Sequence, residues 1–290
     1  MHTHGLHIDP AVDTVFVKAS PGGSLVYRYH LPSDHAPGLH WYHAHLHGSS
    51  TLQLMGGLVG ALLVEPDASN SPNVPESLLQ ANSKLLVVTK LVLGQEVFGG
   101  EVSQGCGEGW ACDPTSQGPL CTGAEDSSPF NPFRLYSLQE LSAAAGSTMA
   151  INPQLVDTTD TDLNLVNGQY RPVIRLALSS PSVFRIVHAA GGGPLQLSLS
   201  DKVACVMAVL AWDGVYLDAR LPQTELHIVA AARVDIEVTC KEEGLFSMDT
   251  NDHSIVWYMY VNASTEVKAS VTDEDLAGII RPWYLQDLTD

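Results

Sequence analysis

Leu39-His40-Trp41-Tyr42-His43-Ala44-His45-Leu46-His47-Gly48 is the stretch from which the rest of the chain can be read. A second pair, His2-Thr3-His4-Gly5, precedes it near the start, and nine of the 12 histidines fall within the first 47 residues. Imidazole nitrogen suits copper, zinc and iron. An H-x-H pair on an extended strand is read as serving two metals, one on each side of the strand. Two such pairs, brought together by a β fold, would supply four nitrogen ligands to a metal cluster. On donor chemistry alone zinc fits four imidazoles as well as copper does. His7, His30, His35 and His40 read as ordinary surface histidines.

Working outward, the chain of 290 residues is long enough for two domains. Hydrophobic residues make up 45% and charged residues 16%, the balance of a globular protein and not of a disordered one. The net charge of -18 and pI near 4.8 repel phosphate backbones, which argues against nucleic-acid binding. No apolar run has the length of a membrane helix. No leader peptide is read at the polar, histidine-rich start, and the chain is read as beginning inside a domain. A secreted or periplasmic location therefore stays open.

Short β-branched runs separated by Gly, Pro, Asn and Asp predict an all-β protein. In the first part, strands are expected at residues 13–19, 25–30, 41–47 and 56–65, with a loop over residues 1–10 and a short helix or turn over 50–55. A Pro/Ser/Asn-rich linker follows over 67–80. Residues 99–133, dense in Gly, Pro, Ser and Cys, read as a long surface excursion, and 137–145 as a short helix or more loop. Further strands are expected at 173–178, 183–189, 195–199, 203–210, 224–229, 234–239 and 255–261, with a strong turn at Asn167-Gly168. Of the five cysteines, Cys106, Cys112 and Cys121 could include a disulfide in an oxidising compartment. Cys205 and Cys240, in apolar strands, read as buried small hydrophobes. His188, His227 and His253 are isolated and read as structural or exposed.

The motifs His2–Gly5 and Gly38–Gly48 closely resemble the first two copper motifs of the multicopper oxidases, the laccase-like enzymes. The resemblance continues through Met55–Glu65, Leu165-Val166-Asn167-Gly168-Gln169, Asp213-Gly214-Val215-Tyr216 and Ala231-Ala232-Arg233-Val234-Asp235. It implies cupredoxin-like Greek-key β-sandwiches, the first N-terminally incomplete. Residues 1–68 would form that partial domain and carry the copper ligands. Residues 84–265 would form a second sandwich without copper ligands, and 266–290 a linker toward a missing third domain.

The resemblance also assigns ligands to a trinuclear copper cluster. His2 would bind the type 2 copper, His4 and His43 one type 3 copper, and His45 the other. Trp41 and Tyr42 would pack behind them, with His47 behind or at the surface. The family's His-Cys-His motif and its H-x-x-H-x-H motif are absent, and no cysteine here has a histidine neighbour. The chain thus carries a type 2 and type 3 half-site, with no thiolate for a type 1 copper and no catalytic residue of its own. Two functions are expected from this. One is an oxidase coupling one-electron oxidation of phenols, aromatic amines or metal ions to reduction of molecular oxygen, completed by a C-terminal cupredoxin domain. The other is a non-catalytic copper-binding or structural module. Copper nitrite reductase fits less well, since its first domain should carry a type 1 cysteine.

Overall fold

A computed structural model describes residues 1–13, 15–65, 78, 81–92, 111–113, 120–122, 162–263 and 270–279, with backbone alone at 92, 111–113, 120–122 and 162. The chain is all-β, with two short helices among the described residues. Strands β1 (His2–His4), β2 (Gly38–His43) and β3 (Val59–Val64) form a three-stranded antiparallel sheet in the order β1-β2-β3. Helix α1 (Ser50–Met55) joins β2 to β3 and buries Leu54.

The larger part pairs two sheets. The seven-stranded one contains β4 (Asn82–Val92), β7 (Asp162–Val166), β8 (Gln169–Tyr170), β10 (Ser182–His188), β12 (Cys205–Trp212), β13 (Val215–Gln223) and β15 (Arg233–Cys240). The five-stranded one contains β9 (Val173–Ala177), β11 (Leu195–Leu199), β14 (Glu225–Ile228), β16 (Gly244–Asp249) and β17 (Ile255–Asn262). Their orders, β13-β12-β15-β10-β4-β7-β8 and β14-β11-β16-β17-β9, mix antiparallel ladders with the parallel pairs β4/β10 and β9/β17. Phe184, Ile186, Val209 and Ile236 from the first sheet meet Leu197, Leu226, Trp257 and Met259 from the second in one continuous core. The remaining strands, β5 (Ala111–Asp113) and β6 (Leu120–Thr122), pair with each other.

Strand β10 shows why this sheet lies in the middle of the molecule. All of its residues are buried, although a two-sided sheet normally alternates. Phe184 and Ile186 point into the sandwich. Val183 and Val187 point outward and are covered from opposite ends. Val187 packs with Leu39, Trp41 and Leu54 of the small sheet. Val183 packs with Leu210, Tyr216, Val271 and Leu276. Leu276 lies on helix α2 (Asp273–Ala277), whose start is fixed by a capping box: Asp275 N–H donates to Thr272 Oγ1, and Thr272 N–H to the Asp275 carboxylate.

Several expectations change. Residues 2–4, expected in a loop, form a strand because β2 offers them an antiparallel ladder. Residues 13–19 and 25–30, expected as strands, form none among the described residues. With no neighbouring strand to bond them, Phe16 is 93% and Val26 77% exposed despite their apolar pattern. The strand expected over 41–47 runs from Gly38 and stops at His43. His35 and His40, expected at the surface, are buried. Cys205 and Cys240 are buried as expected, yet they form a disulfide, because β12 and β15 place them directly opposite each other. Their separation of 35 positions hid that register from the sequence. The backbones of β5 and β6 likewise set Cys112 opposite Cys121, while Cys106 and the 137–145 segment lie outside the described residues.

Between Val183 and Val187 on the same outward face, Arg185 donates to Asp235 Oδ2 at 2.7 Å and to the Tyr216 hydroxyl at 3.1 Å. Burial pushes the Asp235 carboxyl up to about 6 against the pull of Arg185. Arg185→Met therefore strands a buried carboxylate, and urea unfolding is expected to show a loss of about 3–5 kcal/mol. Replacing both partners with apolar residues should recover most of that. A loss in the single variant below about 1 kcal/mol, the range of exposed pairs, would refute this account. Removal of the Cys205–Cys240 bond should lower the unfolding free energy by about 3–4 kcal/mol, from the loop it closes.

Candidate metal centre

The β1–β2 ladder sets His2 opposite His43 and His4 opposite Trp41. Directly opposed residues, and residues two apart on one strand, share a face. His2, His4, His43 and Trp41 therefore project to the same side, which corrects the reading of H-x-H as two-sided. His45 follows just beyond the strand end. Five of the six ring pairs have centroids 4.8–5.7 Å apart: His2–His4, His2–His43, His2–His45, His4–His43 and His43–His45. The Nε2 atoms of His4 and His43 lie 3.1 Å apart.

Each ring's second nitrogen says which lone pair is free. A carbonyl only accepts, so His43 Nδ1–H donates to the Ala44 carbonyl at 2.8 Å and leaves Nε2 as the electron donor. His2 Nδ1 lies 2.9 Å from Asp13 Oδ2, an ion-pair contact off the ideal hydrogen-bond line. Asp13 is held in turn by Thr3 N–H at 3.1 Å and the Tyr29 hydroxyl at 3.3 Å. His45 Nδ1 sits 3.4 Å from Ser50 Oγ, whose proton goes to the Leu46 carbonyl at 3.0 Å. Three rings thus turn their Nδ1 toward the protein and keep Nε2 for a ligand.

Two of the rings are held neutral. Burial first, then repulsion from His2, His43 and Arg233, lowers His4 to about 4. Burial also lowers His43. Neutral imidazole is the form that binds metal. The 3.1 Å gap between two Nε2 atoms is that of two ligands about 2.0 Å from one ion at a near-tetrahedral angle. Among the described residues, no three His, Cys, Asp or Glu side chains are grouped around a single ion position. On donor chemistry the imidazoles suit copper and zinc alike, with the remaining coordination positions open.

The small sheet is seated on the sandwich by polar contacts as well as by the apolar cluster around Leu39. Arg233 is buried and donates from Nε to the Leu39 carbonyl at 3.2 Å and from Nη2 to the Asp213 carbonyl at 2.7 Å, with Nη1 3.0 Å from the Asp213 carboxylate. Directly after His4, Gly5 has φ +90°, and a Cβ there would lie 2.3 Å from Arg233 Nη2 and 2.5 Å from His40 Nδ1. Trp41 Nε1–H donates to the Ala231 carbonyl at 3.1 Å.

The other histidines do not join the group. His35 Nδ1 donates to the Ala36 carbonyl and its Nε2 accepts from His7 N–H at 2.9 Å. His188 is buried and donates to the Ile228 carbonyl at 3.0 Å. His227 takes a hydrogen bond from Gln196, His253 occupies a positive-φ turn position, and His7, His30 and His47 are exposed. Asp13 and Arg233 escaped the sequence reading as parts of the site. A carboxylate within a dozen positions of an H-x-H motif was the available signal for Asp13, since such groups orient ligating imidazoles.

Two packed sheets of mixed ladders beside a smaller sheet define a cupredoxin-like all-β fold, and solved structures bear this out. The chain is similar to a laccase-like multi-copper oxidase, CueO, from the lignin-degrading bacterium Ochrobactrum sp. (TM-score 0.59, 17% identity, covering 93% of this chain and 51% of that one). It is similar to a multi-copper oxidase from Pseudomonas thermotolerans (TM-score 0.56, 18% identity, 93% and 52%) and to a metallo-oxidase from Campylobacter jejuni (TM-score 0.54, 19% identity, 93% and 47%). The chain thus spans about half the length of these structures. Residues 1–69, which hold all four grouped histidines, match the family model of the multicopper oxidases. No curated protein matches the chain.

Burial lowers His40 to about 3, with His35 and Arg233 adding to the effect, and it lowers His188 as well. An unfolded histidine titrates near 6.5. As pH falls below that value the unfolded chain takes up protons that the fold refuses, so stability present at pH 7 is lost toward about 4 for His4 and about 3 for His40. Asp235 acts in the opposite sense below about 6, as one carboxyl against four imidazoles. The metal-free chain is expected to lose about 2 kcal/mol between pH 7 and pH 5 in urea titrations. His40→Phe should flatten that dependence.

Proposed function

We propose that this chain is part of a copper-dependent oxidoreductase of the multicopper oxidase type and supplies half of its cluster ligands. His2 serves the type 2 copper, His4 and His43 share one type 3 copper, and His45 serves the other. The observation that carries this reading is the convergence of four imidazoles, two with Nε2 atoms 3.1 Å apart, within the segment matched by the family model. Copper held there would supply electron storage and the reduction of oxygen to water, fed by one-electron oxidation of phenols, aromatic amines or metal ions. The chain's own residues hold the rings: Asp13 faces His2, the Ala44 carbonyl fixes the tautomer of His43, and Ser50 faces His45. We read the domains as a ligand-bearing unit over 1–68 and a sandwich without copper ligands over 84–265.

One observation favours a narrower role for the chain by itself. Cys205 and Cys240 are tied to each other and buried, so neither offers a thiolate to a type 1 copper. We assign electron entry and the remaining cluster ligands to a further cupredoxin domain and read the chain by itself as a non-catalytic copper-binding module. The disulfide also favours an oxidising location, secreted or periplasmic.

The test is copper loading of the full chain under reducing conditions. Copper binding is expected in the native chain and its loss in a variant with His2, His4, His43 and His45 all replaced by Ala. Oxygen uptake with a phenolic donor and strong blue absorption should both be absent. Undiminished copper binding by the fourfold variant would overturn the assignment of the site. Blue absorption would show a thiolate centre and overturn the narrower role.

A further inference from the structure

Trp41 joins the histidine group to the sandwich in a way that the ligand set does not require. Its indole lies nearly parallel to two imidazoles at once, with centroids 4.4 Å from His4 and 4.9 Å from His43 and both interplanar angles 22°. These are the two rings whose Nε2 atoms approach to 3.1 Å. The side chain is 2% exposed, so solvent does not compete for it. Its one polar atom is committed across the seam, Nε1–H to the Ala231 carbonyl. Ala231 is itself fixed: it holds φ +72°, a left-handed conformation, and its N–H donates to the His188 carbonyl at 2.9 Å.

A flat ring anchored at its edge to a rigid sheet restricts the side-chain rotation of both imidazoles stacked on it. Resting on the half-site reading above, we propose that Trp41 is a positioning residue for copper. Its indole, pinned to the Ala231 carbonyl, fixes the planes of His4 and His43 so that both Nε2 lone pairs meet one ion. The sandwich, which contributes no ligand under this reading, thereby sets the geometry of the pair. Trp41 touches no copper and acts only through the two rings.

The test measures Cu(I) affinity of the full chain by competition with a chromophoric chelator. Trp41→Phe keeps a stacking ring and loses the anchor, and a fall of about 10-fold is expected. Trp41→Leu loses both, and a fall approaching about 100-fold is expected, the span typical of groups that orient metal ligands. In a His4→Ala/His43→Ala background the same substitutions should leave the residual affinity within about twofold, a result that a merely structural role would not give. Unfolding midpoints without metal check that each variant folds. If Trp41→Leu does not fold, Trp41→Phe carries the comparison in both backgrounds. Unchanged affinity in the folded variants, or equal losses with and without the histidine pair, would overturn the positioning role alone. Failure of the native chain to bind Cu(I) would overturn the half-site reading and this inference with it.

Discussion

In an antiparallel ladder the side chains of directly opposed residues emerge on the same face, close enough to touch. Here that rule acts through only three opposed pairs: His2 with His43, Thr3 with Tyr42, and His4 with Trp41. A slip of one position would turn His2 and His4 to the other face and leave His43 facing a threonine. The chemistry of the first part therefore rests on a strand of three residues. Asp13 helps to hold that register, because Thr3 N–H donates to the carboxylate that faces His2.

The β1–β2 ladder is only three residues long, and the small sheet is also held against the sandwich. Leu39 and Trp41 bury against Val187 and Ala189 on the outer face of the seven-stranded sheet. Arg233 reaches from β15 to the Leu39 carbonyl, two positions before Trp41. At Gly38 a Cβ would lie 2.4 Å from the Gly214 carbonyl oxygen, so the two backbones meet with no room for a side chain. The seam combines apolar burial, which supplies the energy, with buried hydrogen bonds that have one satisfactory arrangement.

Strands with clear two-residue alternation between turn signals, such as 195–199 and 255–261, were legible in the sequence. So was the grouping of histidines along the chain, because chemistry-bearing residues and their spacing are local properties. What depended on pairing was hidden. Residues 25–30 alternate as a strand should, but alternation cannot show whether a neighbouring ladder exists. Cys205 and Cys240 looked like small apolar core residues because nothing local tells a buried thiol from half of a cross-strand disulfide. Trp41 was expected to pack behind the ligands. Its double stack on His4 and His43 depends on a register that the sequence does not print, and its anchor lies 190 positions away.

The parallel pairing of β4 with β10 sets Asn82 beside Ser182, a hundred residues apart in the chain. Pairings of this range form slowly, since the intervening chain must be closed before the contacts reward it. The platform under Trp41 is built from Val87, Val187, Ala189 and Ala231, so it does not exist until that closure is complete. The histidines precede both strands in the chain, yet the surface that seats Trp41, and with it the stacked His4 and His43, depends on their pairing. The spacing of the donors is thus local, while the surface that orients them is built from strands a hundred residues apart.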